Sequence, residues 1–184
     1  LGPGWSSAGN APFRRHKVWT HEGGISTPFI VHWPRGIAAR GELRHDVGHV
    51  IDLAPTILAL AGEPAESPAG APPLPGRSLV PAFARDGSVS RDVLFFHHEG
   101  NRALRVGDYK LVSAREDGDA WELYDLAADR CEQRNLAAEQ PGRVREMAAR
   151  WQQLQESFVR DAGGTAGGEA AAKDGSPAGA KAGK

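Results

Sequence analysis

A single cysteine in 184 residues, Cys131, excludes an intrachain disulfide and any metal site built from several thiolates. A lone thiol says nothing about the redox compartment, and its expected role is that of a half-buried structural side chain. Long apolar runs are missing too. The longest, Val50 to Gly62, is interrupted by Asp52 and Pro55 and falls short of the roughly 20 residues a bilayer crossing requires. Net charge of one sign is also lacking. At a formal charge of -1 the chain has no overall field to gather nucleic acid or an anionic membrane, so any anion must be held by a local cluster. No internal repeat is visible. The first residue is Leu1, and Leu1 to Trp5 reads as the middle of a loop. An N-terminal portion is therefore expected to precede it, and the want of a signal peptide carries no weight.

What remains is the composition of a soluble globular protein, 40% apolar and 24% charged, with enough length for one domain with a core. Glycine, proline and serine between Leu1 and Phe13 leave no periodic apolar face, which predicts an irregular surface loop bordering a cleft. Phe29 to Trp33 is a β-branched and aromatic run between Pro28 and Pro34, the pattern of a buried strand. Val47 to Ile51 fits a second short strand. Asp52 is then placed to cap a helix from about Leu53 to Ala61, with Pro55 tolerated in its first turn and Gly62 as its stop.

Residues 63–75 hold almost no large apolar side chains and predict a linker. Beyond it, runs at Val93–Phe96, Arg102–Val106, Tyr109–Val112 and Trp121–Tyr124 are separated by turn residues, as in a small antiparallel sheet built from hairpins. Val144, Met147, Ala148, Trp151, Leu154 and Phe158 recur at three- and four-residue steps after Pro141. They predict a helix whose apolar stripe packs on that sheet. From Ala162 to Lys184 too little apolar surface remains to offset ordering entropy, and disorder is expected.

The densest polar feature is Arg14, Arg15, His16 and Lys17, followed by Glu22, Gly23 and Gly24 and closed by Pro28. A lysine ammonium is a compact point charge with three donors, suited to neutralising charge on a sulfuryl or phosphoryl oxygen. Paired glycines can reach positive φ and let a turn approach a ligand or another segment closely. Glu22 reads as an orienting hydrogen-bond partner rather than a nucleophile. In a second cluster, His97 and His98 are adjacent on a predicted strand, so they point to opposite faces and cannot both hold one ion without a bulge.

The lysine a few residues ahead of Glu-Gly-Gly, with a proline soon after, resembles the sulfatase family. Further resemblance to bacterial arylsulfatase-type members lies at Ile51 to Thr56, Gly100 to Lys110 and Trp121 to Leu126, and the likeness runs from about Gly2 to Arg160. Asp129-Arg130-Cys131-Glu132 departs from it, since many members have proline after that aspartate; only a turn is expected to be affected. The resemblance implies an α/β fold, the C-terminal part of an alkaline-phosphatase-like sulfatase. Residues 1–62 would finish the large domain, 63–90 would be linker and loop, 91–161 a subdomain of antiparallel sheet plus helix, and 162–184 a tail.

By that resemblance Lys17 is the expected catalytic residue and the substrate a small-molecule sulfate ester; His21 is a candidate to border it, and His98 a candidate to touch it, a rim or structural role being the other expectation for His98. The formylglycine nucleophile, from a Cys/Ser-x-Pro-x-Arg motif, and the divalent cation, usually calcium (Ca2+), are not expected in this chain. That motif does not occur here, and Cys131 is followed by Glu-Gln-Arg. No metal ligand is assigned within 1–184, and the remainder of the sulfatase domain is the expected partner, without which the chain should be inactive. The same residues leave open a phosphonate or phosphate monoester hydrolase of the superfamily, or a non-catalytic fragment.

Overall fold

The computed structural model describes residues 2–163 except Ala39 and Pro68. The expected disordered tail therefore lies, from 164 onward, outside the described residues. At the centre is an antiparallel meander of β1 (Leu94–His98), β2 (Asn101–Val106), β3 (Tyr109–Ser113) and β4 (Glu122–Asp125), in the order β1-β2-β3-β4. Two-residue loops join the first three strands. Glu99 and Gly100 both take positive φ, 50° and 82°, the geometry a tight hairpin needs to match strand twist.

Strand alternation gives the sheet two unlike faces. On one, Leu104, Leu111 and Leu123 pack against Met147 and Trp151 of α5 (Pro141–Asp161), as the helical stripe predicts. Trp151 stacks on Phe95 at 5.2 Å and donates its indole N–H to the Phe96 carbonyl, so the ring is buried without an orphaned donor. Burying Met147 and Trp151 contributes about 1.5–3 kcal/mol each. The other face carries Ala103, Val112 and Tyr124 along with Lys110 and Asn101, and residues 10–28 lie across it.

The N-terminal half differs from its sequence expectation in several places. Within 2–13 the chain forms a helix, α1 (Pro3–Asn10), not an irregular loop: Pro3 sits in its first turn and the Asn10 side chain donates to the Ser6 carbonyl at 2.7 Å. Phe29 to Trp33 is not a buried strand. It pairs with no other strand among the described residues, and Ile30 is 88% exposed. Val47 to Ile51 is not a strand either, because His49 and Asp52 cap one another around a single 3-10 turn, Val50–Asp52.

The helix α3 (Leu53–Ala61) is present and stops at Gly62, which takes φ 79°. Asp52, however, makes no side-chain cap on α3. Fully buried, its carboxylate accepts the His49 N–H at 2.7 Å and the Arg77 N–H at 2.8 Å, and pairs with the Arg91 guanidinium. Thr56 donates to the Asp52 carbonyl and accepts the Leu79 N–H at 2.8 Å. The Ile51–Thr56 motif thus pins the residue 76–79 segment and the approach to β1. That segment leads into a short helix, α4 (Val80–Ala84), within the stretch expected to be linker and loop. No described helix is long and apolar enough to cross a membrane.

Candidate functional site

The four basic side chains ahead of Glu22 have different fates. Arg14 crosses to the sheet, donating to the Tyr124 hydroxyl at 2.6 Å, the Glu132 carbonyl at 3.0 Å and the Glu122 carboxylate at 3.3 Å. Burial acts to lower its pKa, but Tyr124 and Glu122 outweigh it and the net shift is upward. Arg15 pairs with Glu116 and Asp117 in the 3-10 turn after β3 (Arg115–Asp117) and lies over the Trp19 ring. His16 meets Trp19 edge-on at 4.5 Å. Lys17 alone of the four is exposed, and it has no ion-pair partner among the described residues. It stands on a turn closed by the Trp19 N–H donating to the His16 carbonyl at 3.2 Å.

The backbone on both sides of Lys17 is unusual. Arg15 has φ 65° and Val18 φ 95°, and a β-branched residue at positive φ is a steric outlier. Glu22 to Ile25 then forms one helical turn, α2. Gly23 and Gly24 serve it through close approach to another segment, as expected, although neither takes positive φ. They are needed for close approach. A Cβ on Gly23 would collide with the Arg14 and Arg15 carbonyl oxygens, and one on Gly24 with those of Trp19 and His16.

Beneath the turn lies an ionic cluster that sequence reasoning missed. Lys110, on β3, is fully buried with its ammonium 2.9 Å from Glu22 Oε1 and 2.8 Å from Glu132 Oε1. The other Glu132 oxygen accepts the Glu22 backbone N–H at 2.9 Å. Arg130 completes the cluster, donating to Glu22 at 2.9 Å and Ser26 at 3.0 Å. Burial pushes the Glu22 carboxyl upward, but Lys110 and Arg130 more than reverse it and the net shift is downward. The departure at Arg130 therefore reaches beyond its own turn. Glu22 is an orienting partner in this cluster, linking α2 to the sheet.

His21 and His98 are separated by their surroundings. His21 is 1% exposed, with Nε2 3.2 Å from Glu122 Oε2 and Nδ1 without a hydrogen-bond partner in the described structure. Glu122 also accepts the Tyr124 hydroxyl at 2.8 Å. The hydrogen bond from His21, followed by those of its other neighbours and opposed by burial, holds the Glu122 carboxyl at about 2. His98 is exposed at the end of β1, while His97 turns to the α5 face and the Trp151 ring. Across the hairpin, His98 pairs with Asn101, whose side-chain amide donates to the Val18 carbonyl at 3.1 Å. His98 and the Lys17 turn therefore share one end of the sheet. Two shallow crevices, one walled by Val31, Trp33 and Ile37 and one by Val47, Arg91 and Arg105, do not include Lys17.

An antiparallel sheet backed by one helix, with a cation turn clamped across its other face, is an α/β arrangement. The family model for the N-sulphoglucosamine sulphohydrolase C-terminal region matches residues 14–158. An uncharacterized sulfatase of Schizosaccharomyces pombe is 35% identical over 162 residues, covering 82% of this chain and 28% of that protein. The N-acetylgalactosamine-6-sulfatase of Mus musculus is 30% identical over 128 residues, covering 70% of this chain and 24% of that protein. A solved structure from the glycosaminoglycan metabolism of Bacteroides thetaiotaomicron superposes with a TM-score of 0.63 at 24% identity, over 80% of this chain and 32% of that one. The chain belongs to the sulfatase family. It spans roughly a quarter of the length of these curated relatives.

Proposed function

We propose that the chain is the C-terminal part of a sulfatase hydrolysing sulfate esters of small molecules, and that Lys17 carries the charge contact to the sulfuryl group. The observation behind this reading is the allocation of cations in residues 14–17. Arg14 and Arg15 are consumed in fixing the turn, and Lys17 is left exposed on it. A turn fixed by its neighbours' ion pairs presents the ammonium from one place, so the backbone needs little reorganisation when charge grows on a sulfate oxygen. The sulfatases among the relatives support the class of substrate, and several are named for 6-sulfated amino sugars.

His98, exposed at the same end of the sheet, is read as bordering the substrate. His21 is enclosed behind the turn, so its place favours holding Glu122 and the loop more than direct contact. The calcium ion and formylglycine that accompany this reading would be held by residues outside 1–184. Among the described residues no three His, Cys, Asp or Glu side chains converge on a metal position.

Exposed apolar side chains support the need for a partner domain. Ile30, Val50 and Ile57 are 88%, 71% and 65% exposed, and Phe29, Trp33 and Leu60 are exposed as well. Apolar surface of this extent is how an interaction face presents itself. Here its occupant is read as the preceding part of the same sulfatase. The test is turnover of an aryl sulfate by the complete protein. Lys17→Ala is expected to lower it by roughly a hundred- to a thousandfold with folding retained, and unchanged turnover removes the lysine from the reaction.

A further inference from the structure

We infer that Asn101 is a positioning residue for Lys17, holding the lysine turn in its strained form through the Val18 carbonyl; this rests on the reading of Lys17 given above. The residue after Lys17 is a valine at φ 95°, a conformation its own side chain opposes. Such a residue stays there only where its surroundings overrule it. The described contact that does so at Val18 is the Asn101 amide, whose Nδ2 donates to the Val18 carbonyl at 3.1 Å.

Asn101 is well placed to act as a clamp. It is 4% exposed and is the first residue of β2, directly after the Glu99-Gly100 turn, so its backbone belongs to the rigid hairpin rather than to the loop it holds. Its other amide atom, Oδ1, accepts the Arg115 N–H at 3.3 Å, which fixes which end of the amide faces Val18. Arg115 opens the 3-10 turn whose Glu116 and Asp117 hold Arg15, the other positive-φ residue beside Lys17. One end of the sheet thus grips the lysine turn from both sides. Asparagine suits this position because the clamp must donate to a carbonyl and accept an N–H at once, and an aspartate can only do the second.

Without the donated hydrogen bond, Val18 is free to relax to negative φ, and the direction of Lys17 changes with it. A displacement of about 1 Å at a reacting group can cost on the order of a hundredfold in rate.

The experiment uses the complete protein and four variants: Lys17→Ala, Asn101→Asp, the double variant carrying both, and Asn101→Asp combined with Val18→Gly. Circular dichroism and thermal melting establish folding, aryl sulfate kinetics give kcat and KM, and hydrogen exchange is followed at residues 15–19. Asn101→Asp keeps the size and the Arg115 contact. It is expected to lower kcat/KM by roughly ten- to a hundredfold and to speed exchange in the turn. It should add little on top of Lys17→Ala, because both act through one ammonium group. Glycine at 18 tolerates positive φ and is expected to return part of the lost turnover.

A full additive loss in the double variant overturns the inference, as does wild-type turnover by Asn101→Asp while Lys17→Ala is impaired. Failure of Asn101→Asp to fold both with and without Val18→Gly also overturns it, since the asparagine would then hold the fold rather than the turn. Unimpaired Lys17→Ala defeats the sulfatase reading of the lysine itself, and with it any residue said to position it.

Discussion

Glu122 collects His21, the Tyr124 hydroxyl and Arg14 on a single carboxylate oxygen. Its folded-state pKa is about 2 against an ordinary 4.5, with the His21 hydrogen bond as the largest cause, so folding favours the anion. The resulting stabilisation is fully present above about pH 4.5 and is lost as pH falls toward 2. Glu122→Gln keeps the shape without the charge. Urea unfolding at several pH values should show the wild type ahead at neutral pH, with the gap closing over that window; a gap independent of pH would rule the carboxylate out. Lys110 invites a harsher substitution. Replacing it with methionine leaves Glu22 and Glu132 buried with one cation fewer, and a loss of about 3–5 kcal/mol in denaturant unfolding is expected. Adding Glu132→Gln should recover part of that loss. Sequence reasoning did not find Lys110. Between Tyr109 and Leu111 it reads as the solvent side of an alternating strand, and only the covering by residues 10–28, brought from far away in the chain, makes that side an interior.

Among the elements, the meander and α5 were the most legible, because alternation with glycine-containing turns and a three-four apolar spacing are local signals that local contacts then satisfy. Phe29 to Trp33 shows the opposite case. Its composition favours a strand, but a strand needs a neighbour, and none of the described segments pairs with it. The 3-10 turn at Val50–Asp52 was hidden for a related reason: His49 and Asp52 satisfy the backbone locally in a way that apolar content does not announce. Of the two reasons the glycine pair suggested, close approach to another segment holds and positive φ does not. That distinction predicts the effect of Gly24→Ala. The added methyl group would meet backbone carbonyls that cannot rotate aside, so about 1–3 kcal/mol of destabilisation is expected, with α2 and the lysine turn displaced together. Thermal unfolding and aryl sulfate turnover should therefore fall in step, whereas a stable but inactive variant would speak against a shared cause.

For the whole molecule, the apolar surface on residues 29–33 and α3 makes opposite predictions for the chain alone and for the chain in its complete protein. Residues 1–184 alone should self-associate in sedimentation, and Ile57→Lys with Ile30→Lys should reduce this. In the complete protein the same pair should lower the soluble yield. Improved behaviour in both settings would mean that nothing covers the face. The candidate site was legible in outline, since Lys17 stands in a readable cation cluster; the scaffold behind it was not. That scaffold joins partners 110 residues apart where Glu22 meets Glu132, and 118 apart where Arg14 does. On a ribosome, then, the lysine turn emerges well before the partners that hold it, and stays shapeless until β4 and the turn after it have followed. A nascent polypeptide arrested short of Glu132 would carry Lys17 without the contacts that fix its turn.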